Sequence, residues 1–299
     1  MFRNTRYDQT TTELVATPNP LDGVETWAFM PRAVMPAVKT LKADVASTPH
    51  PYTVDGSPVV FIRDFDVDGN IETGDTVWLY FGLRRGGKSY YAMDITDPDN
   101  PSLMWTITQG AGDFAELGQT WSTPQIGYML YDGAIDPPGD PKPVLIFGGG
   151  YDTNKDTHKG HTDANGVAIT ETKKGSNDSV GNAVFIVNAQ TGALVWKAVK
   201  GSGAATNRVF QHPLLEDSIP SDVTAVDTDG NGLIDRLYFG DTGGRLWRAD
   251  VSCKNQDGTG CATAGWKVTP ILSVGRHYTD DLTNDRRFFY APDLAQSKD

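Results

Sequence analysis

The sequence predicts an all-β fold, a partial β-propeller, on three observations: a four-part strand pattern that occurs three times, abundant glycine and aromatic residues, and turn dipeptides every ten residues or so. Thirty-two glycines with 7 Trp, 11 Tyr and 12 Phe in 299 residues favour short strands over long helices. In chain order, Thr12 to Asn19 and Gly23 to Phe29 read as the third and fourth strands of a partial blade over 11–30. Pro31 to Leu41 has helix-like apolar spacing and is the one helix candidate, a short cover over a blade edge.

Three full blades follow, at about 54–108, 121–199 and 219–270. Each opens on a strand led by a small or polar residue with Pro or Asp (Gly56 to Ile62, Trp121 to Ile126, Ile219 to Val226). An aromatic strand ending in Phe-Gly comes next: Val77 to Gly82, Val144 to Gly148, Arg236 to Gly240. The third part alternates apolar residues (Ser89 to Ile95, Ala183 to Ala189, Arg245 to Val251), and a fourth strand carries Trp105, Trp196 or Trp266. Period-two alternation marks half-buried strands, and four such strands make one propeller blade. Tyr151 to Asn182 is polar and reads as a long loop between strands two and three of its blade. Arg287 to Pro292 reads as the first strand of another partial blade over 286–299. Three full and two partial blades do not close a ring, so the expectation is an open arc with unpaired edges, a piece of a longer exported protein.

A formal net charge of -12 repels phosphate backbones and anionic lipid surfaces, which argues against general nucleic-acid or membrane binding. No apolar run is long enough to span a bilayer, and the first residues lack the apolar stretch of a signal peptide. Cys253 and Cys261 are expected to form a local disulfide in an exported protein and to stay two thiols in a reducing compartment.

The carboxylates cluster. Asp64, Asp66, Asp68, Asn70, Glu72 and Asp75 occupy positions one, three, five, seven, nine and twelve of a loop with glycine at six, the spacing of an EF-hand-type calcium loop with Asp in place of the usual final Glu. Asp227, Asp229, Asn231, Leu233 (through its carbonyl) and Asp235 repeat that spacing, without a carboxylate at twelve, where Tyr238 stands. Calcium takes six to eight hard oxygens, and alternate side chains of a tight loop converge on one point. The competing reading is a pair of Asp- and Gly-rich turns that cap their own backbone; the matching place of both loops, between strands one and two, favours calcium. Asp152 to Asp156 contains a lysine and reads as a solvated loop. His158 and His161 lack a third ligand for zinc, and neither a GxSxG elbow nor a P-loop occurs.

With these residues in place, the chain resembles the C-terminal propeller domain of the PilY family, type IV pilus biogenesis factors and tip-associated adhesins. The likeness is densest in DTDGNGLIDRLYFGDTGGRLWRAD (Asp227 to Asp250), and continues in GVETWAFMP, VDGSP, YAMDITDP, GQTWSTPQIG, FGGGYD and GNAVFIVNAQTGALVW. The resemblance implies a quinoprotein-like propeller that is not an enzyme, exported through the periplasm to the pilus tip or outer-membrane surface. It further implies work with minor pilins and the pilus tip complex, attachment to host or abiotic surfaces, and calcium at the Asp227 loop linked to extension-retraction control. The Asp64 loop lies outside the family pattern, so a second calcium site is an inference from this chain. A pyrroloquinoline-quinone-dependent dehydrogenase and a generic extracellular binding scaffold are the rival readings.

Overall fold

The computed structural model describes residues 25–43, 50–131, 141–156, 178–252, 263–275 and 286–295. Among the described residues, β-branched and aromatic side chains build thirteen strands in three sheets whose strand order follows the chain. The first contains β1 (Val59–Arg63), β2 (Thr76–Gly82), β3 (Ser89–Asp94) and β4 (Ser102–Thr108), all antiparallel. The second has β5 (Gln125–Met129), β6 (Lys142–Gly148), β7 (Ala183–Asn188) and β8 (Leu194–Lys200), then a fifth strand, β9 (Val209–His212), parallel to β8. The third has β10 (Thr224–Val226), β11 (Arg236–Gly240), β12 (Arg245–Asp250) and β13 (Lys267–Ser273), antiparallel.

β9 corrects the expectation of four antiparallel strands in the middle blade. Its crossover is held where the Lys197 N–H donates to Arg208 O at 2.8 Å and the Arg208 guanidinium donates to Asp113 Oδ2 at 2.8 Å. The outer edge of β8 thereby gains a partner instead of an open ladder.

Alternation explains how the sheets stack. On β6 and β7, Val144, Ile146, Val184 and Ile186 face the third sheet, meeting Leu237, Phe239, Trp247 and Ala249. Their neighbours Leu145, Phe147, Phe185 and Val187 face the first sheet, meeting Phe61, Trp78, Tyr80 and Tyr90. The middle strands are therefore buried on both faces and read as continuous apolar runs. Tyr80 Oη and Trp105 Nε1 both donate to the Ala189 carbonyl, at 3.1 and 3.0 Å, tying the first sheet to the β7–β8 turn of the second.

The tryptophans are not all equivalent. Trp105 opposes Ala92 and Trp196 opposes Ile186, the fourth residues of β3 and β7, each beside a bulge. In the third sheet that place is Arg248 opposite Thr269, and the irregularity shifts to Leu246/Trp247. Trp266 stands one residue ahead of β13, buried, with its ring edge-on to Trp196 at 5.9 Å.

Pro31 to Leu41 forms a 3-10 turn (Arg32–Val34) running into α1 (Met35–Lys42), with Pro36 in its first turn and Lys39 and Lys42 near its C-terminus, where cations suit the helix dipole. Pro31 and Val34 are buried there, Val34 packing with Phe81 and Tyr91, so the segment covers a sheet face rather than an edge. Phe29 lies edge-on to Phe81 and Tyr91 at 6.1 and 6.0 Å, yet 26–30 forms no strand because it has no ladder partner among the described residues. Likewise 286–295 forms no strand: the Phe288 N–H donates to Asp241 O and Thr224 Oγ1 donates to Pro292 O, single contacts rather than a ladder. Residues 11–24, the Cys253 and Cys261 pair, both loop histidines and most of the long polar loop lie outside the described residues.

Candidate metal centres

The loop from Asp64 to Asp75 joins β1 to β2, and the loop from Asp227 to Asp235 joins β10 to β11, so both leave the same end of the first strand. Asp and Gly dominate both, which disfavours extension of the ladder and turns the side-chain oxygens inward onto backbone N–H groups. Asp227 Oδ1 accepts from the Gly230 N–H at 2.7 Å and Oδ2 from the Gly232 N–H at 2.7 Å. Asp64 does the same, accepting from Val67 at 2.6 Å and Gly69 at 2.8 Å. Those backbone donors, Gly232 first, hold the Asp227 carboxyl below the ordinary carboxylate range.

One oxygen each from Asp227, Asp229 and Asp235 lie within 4.8 Å of one another, and so do oxygens of Asp64, Asp66 and Asp68. Asn231 Oδ1 accepts the Leu233 N–H at 2.7 Å, while its amide donates to Asp229 Oδ2 at 3.2 Å. In the first loop Asn70 is bound the same way, its backbone and amide both donating to Asp68, which lowers that carboxyl. Asp66 is raised, by desolvation and then by the charge of Asp68.

The loops close alike, a feature hidden by counting positions from their starts. Asp75 Oδ1 accepts the N–H of Phe65, the second loop residue, at 2.8 Å; Asp235 Oδ2 accepts the N–H of Thr228, again the second, at 2.8 Å, and its hydroxyl at 2.6 Å. Each acid immediately precedes the second strand, so Asp75 and Asp235 are counterparts although one is twelfth and the other ninth. Asp75 also accepts the Glu72 N–H at 2.8 Å. The Asp64 group does not include Asp75 or the exposed Glu72.

Asp152 is no plain solvated residue: it accepts from Asn154 N, Ser179 N and Ser179 Oγ at 3.0, 2.9 and 3.1 Å, clamping the two described ends of the long loop. Sequence reasoning also missed a buried acidic group at the opposite end of β11. Asp241 and Asp217 are fully buried, with Arg245 Nη1 3.2 Å from Asp217 and Nη2 3.4 Å from Glu216. Trp247 Nε1 donates to Asp241 Oδ2 at 2.7 Å. Burial, then the charge of Asp217, pushes Asp241 up to about 7. No sequence spacing signals this group, because it gathers from separate segments.

The chain matches the model of the PilY1 beta-propeller domain over residues 32–274. It is 30% identical over 231 residues to the type IV pilus biogenesis factor PilY1 of Pseudomonas aeruginosa PAO1, covering 77% of this chain and 16% of that protein. A PilY1 homolog of Xylella fastidiosa is 27% identical over 259 residues, covering 85% of this chain and 15% of its own length. The chain thus spans about a sixth of these relatives. The crystal structure of the Pseudomonas aeruginosa PilY1 C-terminal domain aligns with a TM-score of 0.50 at 25% identity, over 83% of this chain and 40% of that one. Three stacked, unclosed sheets and the match over 32–274 lead to one conclusion: the chain belongs to the PilY1 β-propeller domain family.

Proposed function

We propose that this chain is the calcium-binding propeller portion of a type IV pilus biogenesis factor. In this reading it acts outside the cytoplasm with minor pilins at the pilus tip, supporting pilus assembly, extension-retraction control and attachment to surfaces. The observation that carries it is the pair of carboxylate groups at matching places in two blades, inside a chain similar to proteins named type IV pilus biogenesis factors. The donor set fits calcium: Asp227, Asp229, Asn231, Asp235 and the Leu233 carbonyl offer only hard oxygen, and water completes six to eight ligands. The Asp64, Asp66 and Asp68 group is the second site, with Asn70, Glu72 and Asp75 as its remaining candidate oxygens. Calcium there neutralises crowded carboxylates and fixes the turn between the first two strands.

The role is non-catalytic, because contiguous loop carboxylates at a strand end suit a structural ion better than a reaction centre. Calcium titration followed by native mass spectrometry tests the reading: two ions on the wild-type chain, one on Asp229→Ala and one on Asp66→Ala are expected. No bound calcium at millimolar concentration removes it. Turnover of an alcohol or sugar on adding pyrroloquinoline quinone and an electron acceptor establishes the dehydrogenase reading instead.

A further inference from the structure

Where the first strands of the three sheets begin, at the end away from the acidic loops, lies a cavity of about 350 Å³. Its wall includes Ser57 before β1, Trp121 and Thr123 before β5, and Asp222 before β10, together with Arg84, Phe289 and Tyr290. β1 separates it from the Asp64 loop by five residues, roughly 17 Å of strand.

Arg84 is the unusual member. It has φ 51, in the left-handed region that non-glycine residues rarely occupy. Two residues past the Phe-Gly end of β6, the corresponding residue is Gly150, with φ 95. The first sheet thus keeps an arginine where the second uses glycine. Strain of this kind persists where surrounding structure over-determines it, and it concentrates at ligand sites.

What holds Arg84 in place is known. Its guanidinium lies 4.5 Å over the Trp121 ring, and its backbone N–H donates to Thr120 Oγ1 at 3.1 Å. Its ion pair with Asp55 is long, 3.9 Å, because Arg85 already grips Asp55 with bonds of 2.6 and 3.0 Å. Across the cavity Asp222 accepts the Thr123 N–H at 2.6 Å. Arg84 and Asp222 lie close enough for their charges to interact without forming a direct ion pair.

We infer that this cavity binds a neutral hydroxylated ligand, one or two sugar rings in size, with Arg84 donating to hydroxyl oxygens and Asp222 accepting from hydroxyl groups. One cation facing one carboxylate leaves the cavity without net charge, which favours a polyhydroxylated ligand over an anion or a cation. Ser57 adds a hydroxyl that both donates and accepts, and the exposed Tyr290 ring offers an apolar face for sugar C–H groups. The volume falls in the range of small-molecule sites.

The test is ligand-observed NMR on the full 299-residue chain, with methyl glucoside, methyl galactoside, lactose and chitobiose as probes. Binding of at least one sugar at millimolar concentration is expected, weakened about tenfold or more by Arg84→Gly and by Asp222→Asn, as for loss of hydrogen bonds to charged groups. Arg84→Gly relieves the backbone but gives up the Trp121 contact, so its Tm should stay near wild type while binding weakens. Failure of all four sugars overturns the assignment, as does undiminished binding by both variants.

Discussion

The third blade carries acidic residues at both ends of β11, and the two ends treat them oppositely. Before Arg236, Asp227 and Asp229 stand in a solvated loop whose backbone N–H groups favour the charged form and lower Asp227. Past Gly240, Asp241 and Asp217 are sealed from water, and burial, then the charge of Asp217, favours the neutral form of Asp241. Residue type is shared; solvation decides the chemistry. The exposed end can welcome a cation as counter-charge, whereas the buried end relies on Arg245 and on protons.

The largest expected effect breaks the buried end. Asp241→Ala leaves Trp247 Nε1 and the N–H groups of Gly243 and Arg245 without their acceptor, and should cost about 3 kcal/mol or more by denaturant unfolding. Wild-type stability should also depend on pH. With Asp241 raised from 3.8 to about 7 on folding, the folded state holds a proton that the unfolded state releases between those values. The associated stability is full in acid and declines as pH rises through about 7. Facing groups are Asp217, Arg245, Glu216 with Lys200 at 3.8 Å, and Asp178, which reaches Asp241's neighbour Thr242 at 3.1 Å. Asp241→Asn should flatten the dependence; an unchanged profile would reassign it to another of these acids.

At the exposed end, calcium at a hundred times its Kd should add about 2.7 kcal/mol, read as a higher Tm than in chelator. Asp229→Ala should lose this gain and melt like wild type once calcium is removed. Equal melting of both proteins in calcium would reduce the loop to a turn.

A smaller effect separates the two loops. Ile234 and Ile71 both stand eighth, but the Ile234 N–H donates to Tyr128 O at 3.0 Å and its side chain packs on Gly127, where an added Cβ would come within 2.6 Å of it. Ile71 is exposed. Ile234→Ala should therefore cost about 2 kcal/mol, and Ile71→Ala less than about 0.5 kcal/mol. Comparable losses would show that the first loop is anchored too.

Much of the fold was legible because its signals are local. Continuous β-branched and aromatic runs in Val144 to Gly148 and Ala183 to Asn188 mark strands whatever lies around them, and the acidic spacing marks both loops. What escaped depends on distant partners or on counting. β9 pairs in parallel, so no hairpin turn announces Val209 to His212. Trp266 keeps the repeat's composition, but the displaced irregularity in the β12–β13 ladder moves it out of register. The Asp75 and Asp235 correspondence follows from where the second strand starts, not from the loop's first residue. Asp178, Asp217 and Asp241 meet only through tertiary packing, and the φ of Arg84 has no compositional trace.

The finest distinction between the loops lies at their fourth residue. Gly230 has φ 79, which glycine adopts freely; Val67, in the same place, has φ 60 and is 84% exposed. A β-branched residue there is strained by about 1–2 kcal/mol, with no burial in return. Glycine would remove that strain but lose about 0.5–1 kcal/mol through the greater freedom of the unfolded chain. Val67→Gly should therefore stabilise the protein by only about 0.5 kcal/mol, whereas Gly230→Val should lose a similar amount. The sharper readout is calcium: a first loop relieved of strain needs less rearrangement to gather Asp64, Asp66 and Asp68, so Val67→Gly should tighten its site while leaving the Asp227 site unchanged. Calorimetric titration of Val67→Gly in an Asp229→Ala background isolates that site, and weaker binding there would show that the valine conformation is one the ion requires.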